Sequence, residues 1–495
     1  MADLPYRIVI GLEVHVQLLT KTKLFCGCST QFGLPPNSAT CPVCIGMPGV
    51  LPVMNRRAFD LALRAALALN CRIAAFTKWD RKNYYYPDLP KNYQISQYDL
   101  PFSHDGWLEI QTPDGAKRIG IIRAHLEEDA GKMLHDEQGT GKDSLVDLNR
   151  TGTPLLEIVS QPELSSPEEA KAYLEEIRLL LREIGVSDCE MQEGSLRCDA
   201  NVNVHISQAD GSVIKTPIVE VKNLNSFRAV ERAMKYEAQR QYEEALRDPT
   251  YRLGQVSKAT AGWDENRGVT NIQRRKEEAS DYRYFPEPDL APVVVDAAWL
   301  ERARAAMGEL PSVQRRRLVE QYGLSPYDVG VLTQQGRAFV ADFEEVAKRC
   351  GDAKAACNWM TNKLLATLKE KKEDYQTFRS ASQLIPERLA GLIVEQKSAG
   401  LNKQAAEEVY SRMIDAGVDA KTAIAQLGIK AVDSGALVET VRRAIAGNPK
   451  AVADFKAGKT KAAQAIKGAV MRETKGAARP EIVEQMILEE IHKAP

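Results

Sequence analysis

The residues best suited to chemistry lie on segments of alternating polarity. Between residues 8 and 18, Ile8, Ile10, Leu12, Val14, Val16 and Leu18 hold the even positions, so Glu13 and His15 project together from the opposite face of a strand. Residues 196–204 repeat the device: Leu196, Cys198, Ala200, Val202 and Val204 line one face, with Arg197, Asp199, Asn201 and Asn203 on the other. Across 119–129, Ile122, Ala124 and Leu126 share a face, which sets Arg123, His125, Glu127 and Asp129 opposite. In the apolar run LLEIV, Glu157 must be protonated, paired or bound to a cation if the strand is buried; on an edge strand it would sit in water. Solvated strand faces favour Thr and Lys, whereas acids, His, Arg and Asn are metal ligands and phosphate binders. Glu13, Glu127 and Glu157 offer hard oxygen ligands of the kind Mg²⁺ takes. His15 is less typical of Mg²⁺ and would suit Mn²⁺ or zinc better.

Cys26, Cys28, Cys41 and Cys44 form C-x-C and C-x-x-C pairs separated by twelve residues. Four thiolates on two turns can converge on a tetrahedral zinc with no open position, which makes the ion structural; free or redox-active thiols are the other reading. The remaining cysteines (Cys71, Cys189, Cys198, Cys350, Cys357) read as small buried hydrophobes. The stretch from Asp80 to Gln94 interleaves Arg, Lys and Asn with tyrosines on a stiff loop with two prolines. It can stack on bases and hold phosphates, or it can pad a sheet edge. There is no G-x-x-x-x-G-K-[ST] loop, no G-x-G-x-x-G fingerprint and no G-x-S-x-G elbow.

These residues need a sheet with one apolar and one ionisable face, packed on helices. The N-terminal part reads as such an α+β domain, and the chain changes character near residue 295 to alanine-rich helical patterns. Tyr284-Phe285-Pro286-Glu287-Pro288-Asp289 marks the break as a linker or extended strap. Ala399-Gly400-Leu401-Asn402 offers a helix stop and restart. At 495 residues the chain exceeds one domain. Its 66 Lys and Arg against 67 Asp and Glu exclude bulk electrostatic coating of nucleic acid. Residues 448–479 nevertheless carry eight basic side chains against two acidic ones. There Lys456, Lys459, Lys461, Lys467, Arg472 and Lys475 could grip a phosphate backbone or simply be a solvated helical face. No signal peptide or 18-residue apolar run is present, and nine cysteines without secretory context point to a reducing cytoplasm.

Together these segments resemble one family, the GatB subunits of the tRNA-dependent aspartyl/glutamyl-tRNA amidotransferases. The likeness is carried by IGLEVHVQL (10–18), MPGVLPVMN (47–55), DRKNYYYPDLPKNYQISQ (80–97), RAHLEEDAGK (123–132), VDLNRTGTPLLEIVSQPE (146–163), EGSLRCDANVNV (193–204), EVKNLNSFRAVERA (220–233) and DYRYFPEPDL (281–290). The resemblance implies a catalytic cradle over 1–295, with a curved antiparallel sheet like that of glutamine synthetase, a helical domain over 296–405 and a YqeY-like tail domain over 406–495 that binds tRNA. It implies phosphorylation, by ATP with Mg²⁺, of the side-chain carboxylate of Asp or Glu misacylated on tRNA(Asn) or tRNA(Gln). Ammonia would come from a glutamine-hydrolysing amidase partner, and a small bridging protein would complete a heterotrimer. His15, Glu127 and Glu157 match the family's Mg²⁺ ligands, with Glu13 and Glu128 close by. Tyr84, Lys91, Arg197 and Asp199 are the candidates around the activated carboxylate. The cysteine pairs match members that hold zinc; other members lack them. A stand-alone carboxylate–amine ligase would have no use for the basic tail, and a non-catalytic tRNA adaptor would need no carboxylate and His faces.

Overall fold

Alternation decides the central strand. In β1 (Arg7–Gln17) the side chains of Ile8, Ile10, Leu12, Val14 and Val16 are at most 4 % exposed, while Glu13 and His15 stay partly open on the other face. The structure, a computed structural model, describes residues 5–135, 144–275, 282–429 apart from 383 and 385, 434–456, 462–473 and 480–493. It divides into two compact units, Met1–Ser312 and Val313–Pro495.

The first unit is built on a ten-stranded sheet. Further strands that matter here are β2 (Asp80–Asn83), β3 (Tyr93–Ser96), β4 (Ser103–Thr112), β5 (Gly115–Glu128), β6 (Pro154–Ser160), β7 (Leu196–Ser207), β8 (Val219–Lys222), β9 (Ala259–Asp264) and β10 (Val269–Arg275). The order is β10-β9-β8-β7-β1-β6-β5-β4, ended by the short strand Arg72–Ile73. All pairings along this path are antiparallel except β8 with β9. That one parallel pair needs a long crossover, which α3 (Phe227–Arg247) supplies.

The apolar face is covered by three helices, α1 (Arg56–Ala68), α2 (Pro167–Glu183) and α3, each started by a side-chain cap from Asn55, Ser166 or Ser226. Phe59, Leu61, Tyr173, Leu174, Ile177, Val230 and Met234 join the even positions of β1 and β7 in one core. The α+β expectation therefore holds, with the polar positions left on the face away from that core.

One strand departs from the expected phase. Against β6, the register of β5 shifts so that Val159 pairs with Arg123 and Ser160 with Ile121. Ile122 is the extra residue of a β-bulge. It is 41 % exposed, whereas Ile121 is 1 % exposed, so Ile121 and not Ile122 continues the apolar row of Ala124 and Leu126.

The proline-rich strap is part of the first unit. Phe285 pairs with Arg81 and Pro286 with Asp80, so the strap is a third strand beside β2 and β3. Arg81 fixes it by donating two hydrogen bonds to Glu287, at 2.6 and 2.8 Å. The helix Ala297–Ala305 also packs here, with Trp299 against Phe59 and its indole N–H donating to Asp60.

The second unit is helical. One core gathers residues from Leu318 to Ala423, and a smaller one joins residues from Leu437 to Ile491. The helix restart at Asn402, whose side chain caps Lys403–Ala416, falls inside the first of these cores. No helix among the described residues is long and apolar enough to cross a membrane.

The bulge makes neighbouring isoleucines unequal. Ile121→Ala should lower the stability of the sheet unit by roughly 2–4 kcal/mol, and Ile122→Ala by less than about 1 kcal/mol. Urea unfolding of the full chain, followed through the sheet unit's transition, checks this; equal losses would contradict the register.

Candidate functional site

Strand pairing sets polar side chains abreast on the open face. His15 pairs with Glu157 on one side and Arg197 on the other, and Glu157 pairs in turn with His125. The next row holds Asp199, Glu13, Val159 and Arg123; the row on the other side holds Gln17, Leu155 and Glu127. Two histidines and two carboxylates thus meet at the middle of the sheet. His15 Nε2 lies 3.4 Å from Glu157 Oε2 and 3.9 Å from Glu127 Oε1. His125 Nε2 lies 3.7 Å from Glu157 Oε2 and 3.9 Å from Glu127 Oε2.

One donor atom each from His15, Glu127 and Glu157 lies within 4.8 Å of the other two. Bonds of about 2.1 Å in an octahedron space neighbouring ligand atoms by about 3 Å and opposite ones by about 4.2 Å. The three donors fit that shell with small closing movements. Two carboxylates suit a hard cation, and an imidazole is the less usual third ligand.

The electrostatics agree. Burial acts to raise Glu157, but His125, His15 and Lys82 outweigh it and hold the carboxyl well below its usual range. Glu127 is also lowered: burial is opposed by Lys82 and His125. Burial acts to lower His15, yet Glu157, Glu127 and Asp199 raise it above 6.5. Lys82, on β2, is raised by Glu127 and Glu157 against the effect of burial. Its ammonium lies 5.2 Å from the ring centre of Tyr282 and 6.0 Å from that of Tyr84, within cation–π range.

Around this centre the other expected residues separate. Glu13 does not join the three donors; it accepts a 2.9 Å hydrogen bond from Asn201. Nor does Glu128, which pairs with Lys91 and accepts a 2.8 Å bond from the Ile95 N–H, closing the tyrosine-rich loop onto β5. The Tyr84 hydroxyl donates to Gln94, whose amide donates to the Glu128 carbonyl at 2.7 Å. Arg197 is clamped to Asp129 at 2.8 Å, and Lys222 reaches Asp199 at 2.5 Å. Asp129 also accepts from Gln17 and faces Arg150, so it orients two guanidinium groups beside the centre. The sequence alone does not single out His125, Lys82, Asp129 or Lys222. Alternation puts His125 and Asp129 on the correct face, but only the register shows which groups meet.

Of nine buried side-chain polar atoms without a hydrogen-bond partner among the described residues, four lie on this face: Arg123 Nε, His125 Nδ1, Arg197 Nε and Asn201 Oδ1. Buried polar atoms are nearly always partnered, so their concentration here marks a surface made to receive a polar ligand.

The four cysteines also converge. The Cys44 sulfur lies 3.5 Å from that of Cys26 and 3.7 Å from that of Cys41, and all four sulfurs are within 4.8 Å of one another. A tetrahedron with bonds of about 2.3 Å has edges of about 3.8 Å, so the set fits zinc. Fully buried Lys23 donates to Cys44 at 3.4 Å. The Cys26 hydrogen bond, aided by Lys23, lowers Cys44 to about 4, while burial pushes Cys28 up to about 11. Gly46, at φ 67°, lets Lys91 pass: a Cβ there would stand 2.6 Å from Lys91 Cγ. The cysteine knuckle therefore packs directly on the residue that holds Glu128.

In the basic tail, Lys456 and Arg472 are exposed, whereas Lys467 is paired with Glu484. Lys459, Lys461 and Lys475 lie outside the described residues.

The helix-backed sheet with a carboxylate–imidazole cluster on its open face has the make-up of a catalytic domain, and sequence comparison identifies which. Residues 8–301 match the GatB/GatE catalytic domain family and residues 341–491 match the GatB domain family. The chain belongs to the GatB family. It is 50 % identical over 491 residues to a protein of Rhodopirellula baltica, covering 99 % of this chain and 97 % of that one. It is 48 % identical over 490 residues to one of Carboxydothermus hydrogenoformans, covering 99 % of each. Both relatives are named as the B subunit of an aspartyl/glutamyl-tRNA(Asn/Gln) amidotransferase.

Asp129 gives a pH-dependent test. Arg197 and Arg150 hold its carboxyl below 3.8 despite burial. A depressed carboxyl stabilises the fold above its unfolded value and loses that contribution as pH falls through the folded one. Asp129→Asn should cost about 1–3 kcal/mol at neutral pH, because two half-buried guanidinium groups lose their counter-charge. The gap from wild type should close as pH falls below about 4; thermal unfolding across pH reads it, and a constant gap would contradict the ion-pair account.

Proposed function

We propose that this chain is the amidating subunit of a glutamine-dependent aspartyl/glutamyl-tRNA amidotransferase. The observation that carries this reading is the meeting of His15, Glu127 and Glu157 on the sheet's open face. It acts on Asp or Glu misacylated on tRNA(Asn) or tRNA(Gln), in the cytoplasm, with ATP as the phosphoryl donor.

His15, Glu127 and Glu157 hold the divalent cation. Held there, Mg²⁺ would supply positive charge against the transferring phosphoryl group. Strand pairing fixes these side chains before substrate arrives, so little reorganisation is needed during reaction. An oxygen of the substrate carboxylate attacks the terminal phosphorus; the bond to the bridging oxygen breaks and ADP leaves. Ammonia then attacks the acyl carbon, phosphate departs, and the nitrogen loses a proton to give the amide. Arg197, oriented by Asp129, and Lys222 with Asp199 supply positive charge and a proton acceptor beside that carboxylate. Lys91 and Tyr84 brace the loop that covers this side. Glu13 and Glu128 are assigned supporting places, since neither joins the three donors.

The chain carries no amidase motif of its own. Ammonia comes from a glutamine-hydrolysing amidase partner, with a small bridging protein between the two in a heterotrimer. The helical unit holds tRNA, and exposed Lys456 and Arg472 are its candidate phosphate contacts in the tail. The four cysteines bind a structural zinc, remote in role from the chemistry but packed on Lys91 through Gly46.

Glu157→Gln should reduce ATP-dependent Asn-tRNA or Gln-tRNA formation by at least about 100-fold, because a metal ligand and its charge are lost together. Affinity for tRNA, measured by filter binding, should be unchanged; undiminished amidation would refute the assignment. Replacing Cys41 and Cys44 by Ser should lower both bound zinc, measured by atomic emission, and the thermal midpoint. A double variant as stable as wild type would argue against structural zinc.

A further inference from the structure

Arg123 is the floor's unassigned cation. It lies on β5 two residues from His125 and on the same face, since the bulge at Ile122 precedes both. Its strand neighbour Val159 is two residues from Glu157 on β6. At about 3.3 Å per residue, Arg123 starts one side-chain row, roughly 7 Å, from the centre. Every other guanidinium named on this face or its loop is committed: Arg197 to Asp129, Arg150 to the carbonyls of Ala130 and Gly131, Arg81 to Glu287. The Arg123 Nε is buried without a hydrogen-bond partner, and its guanidinium makes no ion pair among the described residues. A planar five-donor fork left unpaired beside a metal-ligand set has the geometry for a tetrahedral oxyanion.

We propose that Arg123 is a phosphoryl-binding residue, donating to the terminal phosphate of the nucleoside triphosphate held beside His15, Glu127 and Glu157. This rests on the function proposed above, because it takes that centre as the site of phosphoryl transfer. Arg123 would complement a cation held by the carboxylates, since its guanidinium lies toward β4, where its other strand neighbour is half-buried His104. A second observation places it in the same field. Tyr284, stacked on Tyr98 with centroids 4.0 Å apart, is raised to about 12 by burial; Lys82 opposes this, Glu127 and Glu157 add to it, and Arg123 opposes it. Lys82, Arg123 and the two carboxylates thus all act electrostatically on the Tyr284 hydroxyl. Tyr284 immediately precedes the strap strand Phe285–Pro286, which pairs with β2.

The test uses the full chain assembled with its partner proteins, with Mg²⁺, and compares equilibrium binding of ADP and of the slowly hydrolysed analogue ATPγS. Wild type should bind the triphosphate more tightly than ADP. Arg123→Gln should weaken ATPγS by about 10–100-fold, the range for a charged hydrogen-bond set, and leave ADP within about 2-fold. Arg123→Lys should recover part of the loss. The thermal midpoint of Arg123→Gln should not fall, because no protein partner is lost; a fall would indicate a structural role and overturn the assignment. So would an unchanged preference for the triphosphate, or an equal loss of both nucleotides. If wild-type binding is instead independent of Mg²⁺ and unaltered by Glu157→Gln, the wider functional reading fails with it, which separates the two.

Discussion

Two carboxylates that face each other with little water are the constraint on which the first unit is organised. Glu127 and Glu157 are 3 % and 7 % exposed. Ionised groups in such surroundings cost several kcal/mol each unless countercharge is supplied. The fold supplies it from three directions: His15 from β1, His125 from β5 and Lys82 from the small sheet beyond. Among the described residues no Arg or Lys nitrogen comes within 4 Å of either carboxylate, which leaves room between them for the divalent cation proposed above.

The scaffold follows from that need. β1 sits in the middle of the sheet because its polar face must meet β6 on one side and β7 on the other. The helices are confined to one face, which leaves the polar face of the sheet clear of them. Asp129 is buried beside the centre to aim Arg197, and Lys91 is held between Glu128 and the cysteine knuckle. The strap Phe285–Pro286 returns over β2, bringing Tyr282 and Tyr284 to Lys82. A segment rich in proline suits this task because it needs few ladder bonds of its own.

Much of this is legible in the residues. Period-two alternation identifies β1 and β7 and their polar faces, and the spacing of Cys26, Cys28, Cys41 and Cys44 anticipates their convergence. The three-donor set is named through resemblance to the family, and the register explains it. What stays hidden depends on pairing between distant segments. Ile122 reads as core in the sequence because alternation cannot reveal a bulge set by a neighbouring strand. Tyr284 and its proline-rich neighbours read equally as a linker or an extended strap, and the choice lies in Arg81 binding Glu287 206 residues away. Glu13 reads as a ligand and Glu128 as a catalytic neighbour; the register sets Glu13 one row from His15, and Glu128 pairs with Lys91.

We propose above that the open face of the sheet holds a divalent cation between His15, Glu127 and Glu157. It is tested most directly by growing crystals of the chain with Mn²⁺ in place of Mg²⁺ and measuring anomalous scattering. The account predicts one peak within about 2.3 Å of His15 Nε2 and of an oxygen from each carboxylate. A fully occupied Mn²⁺ peak elsewhere, with these three side chains bridged only by water, would contradict it.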